Sequence, residues 1–322
     1  MQFLRLSTST SRYLRGTRIN RTAPNLNLTH NFRQKTTGFR KSEPNSHSTM
    51  AEPSLPTAKT EALYQKDGHL YTHTSPISSI QPLSSLPQEA QSLFKPPPEG
   101  EPYILTTPST IFHAQGGGQP SDTGTITASD RTFHVHQVRK ADPAILHMGT
   151  FAPASALFEA KGEHGTQQID QDKRVLHSRI HTAGHVIGLA AAALKKEGVI
   201  EENVVDGKAS HYPGAAFVEF IGLIPGDKKA AIQAKTDEMV AQDLPVRIHF
   251  WDEERARREC TGVLESFKQD DDGVRVVEIG DAGSYPCGGT HVKTTKGCGR
   301  IVIRNIKRQK GITKVSYEVQ DA

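Results

Sequence analysis

Hydrophobic and polar residues follow two different periods along this chain, and the period changes near residue 170. From Asp170 to about Lys196, apolar residues recur every three or four positions, which predicts one long helix. Asp170 or Asp172 can cap its start, and Gly198 can end it. Further helices are predicted over residues 227–241 and 252–259, and strands over residues 275–279, 300–306 and 313–319. Helices followed by a run of strands predict an α+β layer in which helices pack on an antiparallel sheet.

Before residue 170 the pattern is that of short strands. Residues 132–138 alternate between apolar and polar positions, and two more strands are predicted over residues 103–107 and 124–128. Gly and Pro interrupt these segments at short intervals, which is typical of a small β-rich, barrel-like domain. Residues 50–62 and 75–102 are rich in Pro, Ser and Glu and are predicted to be loops.

The predicted fold class is therefore α+β, with a small β-barrel-like N-terminal domain followed by an α+β domain. The expected organisation is a leader over residues 1–49, a β-rich domain over 50–165 and the α+β domain over 166–322. A chain of 322 residues is long enough for two such cores. Three cysteines are too few for a disulfide framework, and the longest apolar run, Val186–Leu194, is too short to cross a membrane.

Positive charge is concentrated at the N-terminus. Residues 1–49 hold seven Arg and two Lys against the single acid Glu43, a net charge of +8, so residues 50–322 carry about −4 of the chain's +4. A leader rich in Arg and Ser and poor in acids is the composition of a mitochondrial transit peptide. The alternatives are a disordered basic tail or an upstream extension of a chain that starts at Met50. We expect a cytoplasmic product from Met50 and a mitochondrial form from Met1.

Two pairs of metal-binding residue types share one spacing about a hundred residues apart. His181 and His185 are four residues apart in the predicted helix, so both lie on one face, a turn apart. Cys287 and His291 repeat the spacing around a Gly-Gly turn. Three imidazoles and a thiolate form a good tetrahedral set for Zn²⁺.

The residue after the first histidine limits what this site can be. Zinc peptidases of the HExxH type carry a glutamate there as general base, and this chain has Thr182. The site is then either a structural clamp or a place where metal and a polar pocket orient a substrate for attack by water.

Three segments carry a resemblance to a known family. Arg174–His185 and Cys287–Val292 resemble the editing domain of alanyl-tRNA synthetases, whose free-standing relatives are the alanyl-tRNA editing proteins, trans-acting deacylases. Phe112–Gly124 is similar to the glycine-rich motif of the domain that precedes editing in longer members. Threonyl-tRNA synthetases have a related domain, and the glycine-rich segment favours the alanyl branch.

The resemblance implies a zinc-dependent hydrolase that removes serine from mischarged Ser-tRNA(Ala), with Gly-tRNA(Ala) as a second substrate. It implies that Gly116, Gly117, Gly118 and Gln119 form a loop over the pocket. The Thr182 hydroxyl either faces the pocket or bonds back to the helix carbonyl four residues earlier. Gly288 and Gly289 are interpreted as a tight turn with N–H groups free to bind an anion or a carbonyl oxygen, and Thr290 beside them is a further candidate for contact with substrate.

The chain departs from the family between Gly207 and Phe220, where an expected arginine is missing. From Val292 to Tyr317 there is no acid but eight cations, which predicts contact with tRNA phosphates through Arg304, Lys307, Arg308 and Lys310. The simpler interpretation of these residues is a solvated surface. The alternative function is a tRNA-binding module without catalysis, in which zinc is structural. The sequence implies no membrane and no protein partner.

Overall fold

The computed structural model describes residues 54–97, 99–154, 157–158, 162–262 and 272–321. The predicted leader over residues 1–49 and the start at Met50 lie outside these residues, so both stay predictions. The described residues belong to one compact unit. Among them, no helix is long and apolar enough to span a membrane.

A seven-stranded antiparallel sheet makes up the N-terminal half. The strands are β1 (Glu61–Ala62), β2 (Thr72–Pro76), β3 (Ser79–Pro82), β4 (Tyr103–Thr106), β5 (Ser109–Thr110), β6 (Gly124–Ala128), β7 (Arg131–Ala141), β8 (Ala144–Ala152) and β9 (His164–Ile169), with short helices α1 (Leu63–Lys66) and α2 (Gln88–Gln91). Their order in the sheet is β2-β9-β6-β7-β8-β4-β3, and β1 pairs separately with β5. Because β2 and β3 are neighbours in sequence but lie at opposite edges, the sheet curls strongly, in agreement with the barrel-like expectation.

Some predictions for this half were wrong. Residues 75–102 contain the end of β2, all of β3 and helix α2 and are not only loops, and β8 and β9 were not predicted. The alternation over residues 132–138 holds through Phe133 and Val135 and then shifts by one residue at a bulge, so that Val138 is the next buried side chain. Polar residues are frequent in these strands because their second face meets water.

One long helix follows, α3 (Gln171–Lys196). The side chain of Asp170 accepts a hydrogen bond from the Lys173 backbone N–H, which confirms the predicted N-cap. The helix is buried on more than one side, and small residues such as Gly184 and Gly188 let Tyr317 and Tyr285 approach it closely. It therefore runs through the middle of the molecule and presents its side chains to several elements.

The C-terminal half has two further antiparallel sheets and two helices. The elements are β10 (Val205–Ser210), β11 (Phe217–Ile221), α4 (Lys229–Ala241), β12 (Val246–Trp251), α5 (Glu253–Glu259), β13 (Val274–Ile279), β14 (Gly283–Pro286), β15 (Arg300–Gln309) and β16 (Ile312–Gln320). The sheets have the orders β10-β11-β16-β15 and β12-β13-β14. Helices α3 and α4 pack on the four-stranded sheet, which confirms the predicted α+β layer. Strands β10, β11, β12 and β14 were not predicted.

A buried ion pair ties α3 to the N-terminal sheet. Arg174 and Asp122 are each almost fully buried, and the guanidinium also donates to the backbone carbonyls of Gly68 and Ile111. This satisfies the guanidinium on several sides, as a buried charge requires. Strand β9 ends at Ile169, four residues past the predicted boundary at residue 165.

Candidate metal centre and active site

The four predicted metal ligands come together. Helix α3 places His181 above His185, with ring centroids 5.1 Å apart, and the turn after β14 supplies Cys287 and His291. One ligand atom from each residue lies within 4.8 Å of all the others. Among the described residues this is the one cluster of at least three such side chains.

The spacing of the donor atoms fits zinc. Sγ of Cys287 lies 3.3 Å from Nε2 of His181 and 3.4 Å from Nε2 of His291. With Zn–S near 2.3 Å and Zn–N near 2.0–2.1 Å, a tetrahedral site has an S···N edge of about 3.6 Å. The observed edges are close to that value, so the side chains present could hold Zn²⁺ with little movement.

Hydrogen bonds fix which nitrogen of two histidines is free. Nδ1 of His181 lies 2.7 Å from Oε1 of Gln119, an atom that can only accept. Nδ1 of His291 lies 3.1 Å from the Thr182 hydroxyl, which already donates to the Ser178 carbonyl and therefore accepts from the ring. Both rings thus carry their proton on Nδ1 and leave Nε2 free, as a metal ligand requires.

Protonation states also suit a metal site. Burial lowers the pKa of His181 and His291 well below 6.5 and that of His185 to about 3, so all three are neutral at pH 7. Burial raises the pKa of the Cys287 thiol above its usual range, although the Arg275 charge and the Gly289 N–H oppose the shift. The thiol is therefore the group that must give up a proton when a metal binds.

His185 differs from the other two histidines. Its Nδ1 is buried and has no hydrogen-bond partner in the part of the chain that the structure describes. The ring packs edge-on against Tyr285, with centroids 4.8 Å apart, and against His291 at 4.9 Å. Packing alone orients this ligand, whereas hydrogen bonds orient His181 and His291.

The glycine-rich segment lies at the metal cluster. Gly116 and Gln119 exchange backbone hydrogen bonds across a tight turn, in which Gly117 and Gly118 have positive φ of 56° and 76°. A Cβ at Gly118 would lie 2.5 Å from the Ala209 carbonyl oxygen, so only glycine fits there. The turn directs the Gln119 side chain inward, where it is fully buried beside His181.

The residues predicted to contact substrate have other partners here. Thr182 bonds back to Ser178, the second of the two predicted alternatives, and also supports His291. The Thr290 hydroxyl is bonded to Ser178 and Gln119. The prediction of free N–H groups in the turn was wrong for Gly289, whose N–H points at Sγ of Cys287 at 3.4 Å. A Cβ at Gly289 would overlap the His181 ring, whereas Gly288 is open on that side.

Sequence reasoning missed two groups that touch the cluster. His211 stacks on His181 with centroids 4.0 Å apart, and its Nδ1 lies 2.7 Å from the Tyr317 hydroxyl, which donates to the Ile180 carbonyl. Buried Arg275 donates to the backbone carbonyls of Gln65 and Cys287. Neither residue stands at a recognisable spacing from a ligand, so the sequence offered no signal for them.

Two adjoining clefts border the cluster. The larger, of about 410 Å³, is lined by His69, Tyr71, Val175, Ser178, Val292 and Lys293. The smaller, of about 140 Å³, shares His69, Val292 and Lys293 with it and reaches His291 and Arg275. Apolar side chains and Lys293 line both clefts, and the smaller one is also lined by Lys66, Arg275 and Asp67.

The predicted tRNA-binding residues lie away from the metal ligands. Arg304, Lys307, Arg308 and Lys310 are exposed on β15 and on the turn to β16. Along β16, the distance from Tyr317 beside the ligands to Ile312 at that turn is about 17 Å at 3.4 Å per residue. Lys307 and Arg308 are consecutive in a strand and point to opposite faces of the sheet.

Comparison with known proteins agrees with this site. Residues 274–315, which include Cys287 and His291, match the family described as Threonyl and Alanyl tRNA synthetase second additional domain. The chain is 29% identical over 222 residues to the alanine–tRNA ligase of Haloquadratum walsbyi, covering 68% of this chain and 23% of that protein. It is 31% identical over 212 residues to the enzyme of Methanoculleus marisnigri, covering 65% and 22%.

A shorter relative is matched over more of its length. The alanyl-tRNA editing protein AlaX-L of Pyrococcus horikoshii is 29% identical over 215 residues, covering 65% of this chain and 49% of that protein. The chain thus spans about half the length of AlaX-L and under a quarter of the ligases. The motifs, the matched domain and these similarities confirm the resemblance seen in the sequence: the chain is similar to an alanyl-tRNA editing protein.

Proposed function

We propose that this protein is a zinc-dependent aminoacyl-tRNA deacylase that hydrolyses mischarged Ser-tRNA(Ala), and also Gly-tRNA(Ala), in trans. The observation that carries the proposal is the cluster of His181, His185, Cys287 and His291, with neutral histidine rings and with Nε2 free on His181 and His291, in a relative of an alanyl-tRNA editing protein. Zinc at this site would supply Lewis-acid chemistry for an ester carbonyl or for water.

The chain's own residues support a substrate that carries an RNA end. The smaller cleft is lined by His291 of the cluster and by three cationic side chains against one acid, so a ligand held in it would meet net positive charge beside the metal cluster; the cations are Lys66, Arg275 and Lys293 and the acid is Asp67. Buried Arg275 lines the same cleft and holds the Cys287 carbonyl. A terminal nucleotide has the negative charge and the flat apolar base that suit such a cleft.

The decisive assay is hydrolysis of three substrates. Purified protein should deacylate Ser-tRNA(Ala) and Gly-tRNA(Ala) and leave Ala-tRNA(Ala) largely intact. Equal rates on all three, or no hydrolysis of any, would contradict a proofreading activity.

The alternative is a tRNA-binding module in which zinc is only structural, and the four-ligand count favours it because closed zinc sites are usually structural. His185→Ala separates the two, with His177→Ala as the matched control. Both residues lie on α3, His177 buried and His185 partly buried, and His177 lies outside the cluster. The enzyme proposal expects loss of deacylation in a folded His185→Ala protein and retention in His177→Ala. If His185→Ala keeps its deacylation activity while its Tm falls, the metal has only a structural role.

We further propose that Arg304, Lys307, Arg308 and Lys310, on β15 and in the turn to β16, bind tRNA phosphates. A Lys307/Arg308/Lys310→Ala triple variant should bind every tRNA more weakly and lower the slope of log affinity against log salt by roughly 0.7–0.9 per lost contact. Turnover at saturating tRNA should change little, because the metal cluster is untouched. A Lys95/Lys196/Lys228→Ala variant removes the same charge elsewhere and serves as control. An equal loss of tRNA affinity in both triple variants would show only a general effect of net charge and would contradict a specific contact.

A further inference from the structure

The Gln119 side chain links the turn between β5 and β6 to the metal cluster. It is fully buried on a turn that follows β5, and its partners lie on α3 and on the turn between Cys287 and His291. Oε1 lies 2.7 Å from Nδ1 of His181 and 3.1 Å from the Thr290 backbone nitrogen. Nε2 donates to the Thr290 hydroxyl at 2.8 Å.

These contacts define the orientation of the carboxamide. Two N–H groups, from the His181 ring and the Thr290 backbone, converge on Oε1, and a hydroxyl that can accept faces Nε2. A flipped amide would set its NH₂ against the Thr290 N–H, donor against donor. The oxygen therefore holds the proton of His181 on Nδ1, and the amino group holds the ligand-bearing turn.

The surrounding backbone leaves the carboxamide little freedom. The Gly118 carbonyl accepts from the His211 N–H, and Gly118 is too close to Ala209 to carry a side chain. On the other side Gly289 lies against both His181 and Oε1 of Gln119. The carboxamide is therefore enclosed between two glycine-containing turns. Gln119 is not among the residues that line either cleft.

We infer that Gln119 is a positioning residue for the metal centre, which fixes the tautomer and orientation of His181 and anchors the Cys287–His291 turn through Thr290, and thereby sets the affinity for Zn²⁺. This assigns Gln119 a role different from the predicted contact with substrate. The inference rests on the proposed metal site. It makes the N-terminal half of the molecule a part of that site, because the turn that carries Gln119 lies between β5 and β6.

The test is a measurement of Zn²⁺ affinity by competition with a chromophoric chelator. Gln119→Met keeps the length of the side chain and removes the carboxamide, so Zn²⁺ affinity should fall by about 10- to 100-fold, the usual effect of losing a partner of a metal-bound histidine. Gln119→Glu keeps an acceptor for His181 and should bind Zn²⁺ within about threefold of the wild type.

Gln167→Met is the matched control. Gln167 is also fully buried and hydrogen-bonded, but its partners are Ser109 and Thr110 of β5 and the adjacent Ile111, outside the metal cluster. Its replacement should lower the Tm and leave Zn²⁺ affinity unchanged. A second readout is the Nδ1–H signal of His181 in ¹⁵N-edited NMR of the metal-free protein, which should persist in Gln119→Glu and vanish in Gln119→Met.

The outcomes are distinct. Zn²⁺ affinity of Gln119→Met within twofold of wild type, or an equal loss in Gln167→Met, would overturn the positioning role. If Gln119→Met does not fold, Gln119→Glu decides: loss of the His181 signal overturns the inference, and retention of signal and affinity supports it. Deacylation is not part of the readout. Affinities in the expected order without hydrolysis of Ser-tRNA(Ala) would refute the proposed activity and leave the role of Gln119 intact.

Discussion

Adjacent glycines in the Cys287–His291 turn should respond in opposite ways to a single methyl group. A Cβ at Gly289 would overlap Cε1 and Nδ1 of His181 and lie 2.8 Å from Oε1 of Gln119. A Cβ at Gly288 would meet only Nε2 of Gln65, at an ordinary 3.5 Å. Neither glycine has a φ in the left-handed region, so backbone strain does not distinguish Gly289→Ala from Gly288→Ala.

The expected loss of Zn²⁺ affinity in Gly289→Ala follows from the position of the His181 ring. To regain normal carbon–carbon contact with the new methyl group, the ring must retreat by about 1 Å. It is held there by the 2.7 Å hydrogen bond to Gln119 and by His211 stacked at 4.0 Å. Metal–ligand distances tolerate only about 0.2 Å, so Gly289→Ala should lose His181 as a ligand and weaken Zn²⁺ binding by about 100-fold. Overpacking should also destabilise the metal-free protein by about 1–3 kcal/mol.

Chemical unfolding with and without Zn²⁺ measures both effects. At free Zn²⁺ about 100 times the wild-type Kd, zinc should add about 2.7 kcal/mol to the free energy of unfolding of the wild type and of Gly288→Ala. The same concentration should add only about 0.4 kcal/mol to Gly289→Ala. Equal stabilisation of the two variants by zinc would refute the reasoning, because it would show that His181 can move without cost or is not a ligand.

Three other results are expected. Zn²⁺ binding between pH 6 and 8 should release one proton, from the Cys287 thiol with its raised pKa, since the ligand histidines are already neutral; indicator-dye titration giving none, or two or more, would contradict this. Asp122→Asn should cost about 3–5 kcal/mol in urea unfolding, because it leaves the buried Arg174 charge unpaired; a loss below about 1 kcal/mol would show that the pair is not needed. Burial lowers the pKa of His147 to about 4. The neutral ring therefore contributes fully to the free energy of unfolding above about pH 6.5, and this contribution is lost by about 1.4 kcal/mol per pH unit as the pH falls toward 4. The free energy of unfolding of His147→Gln should fall less steeply over the same pH range.

The sequence by itself determined the features that depend on neighbours along the chain. Helix α3 was predicted with its cap at Asp170 because apolar period and capping are local properties. The same locality set His181 and His185 on one face, since residues four apart in a helix always lie a turn apart. The pair Cys287 and His291 was found through its spacing, and donor chemistry alone was enough to join it with the helical pair.

Strands at the edges of sheets were harder to predict. Strand β10 has the sequence Val-Asp-Gly-Lys-Ala-Ser and has no apolar alternation, because it lies at the edge of its sheet and buries none of its residues. Strands β2 and β3 were hidden among Pro and Ser for the same reason, since both are edge strands of the curled sheet.

The tertiary structure alone decided what surrounds the metal ligands. Gln119 and Thr290 are 171 residues apart in sequence, and Tyr317 and His211 are 106 apart, so no spacing rule could pair them. The sequence also left open whether the Thr182 hydroxyl faces a pocket or its own helix. In the structure it donates to the Ser178 carbonyl and contacts His291, which lies on the turn after β14. The candidate ligands could be predicted from local sequence. The hydrogen bonds that orient them could not, because those bonds form only when distant segments of the chain pack together.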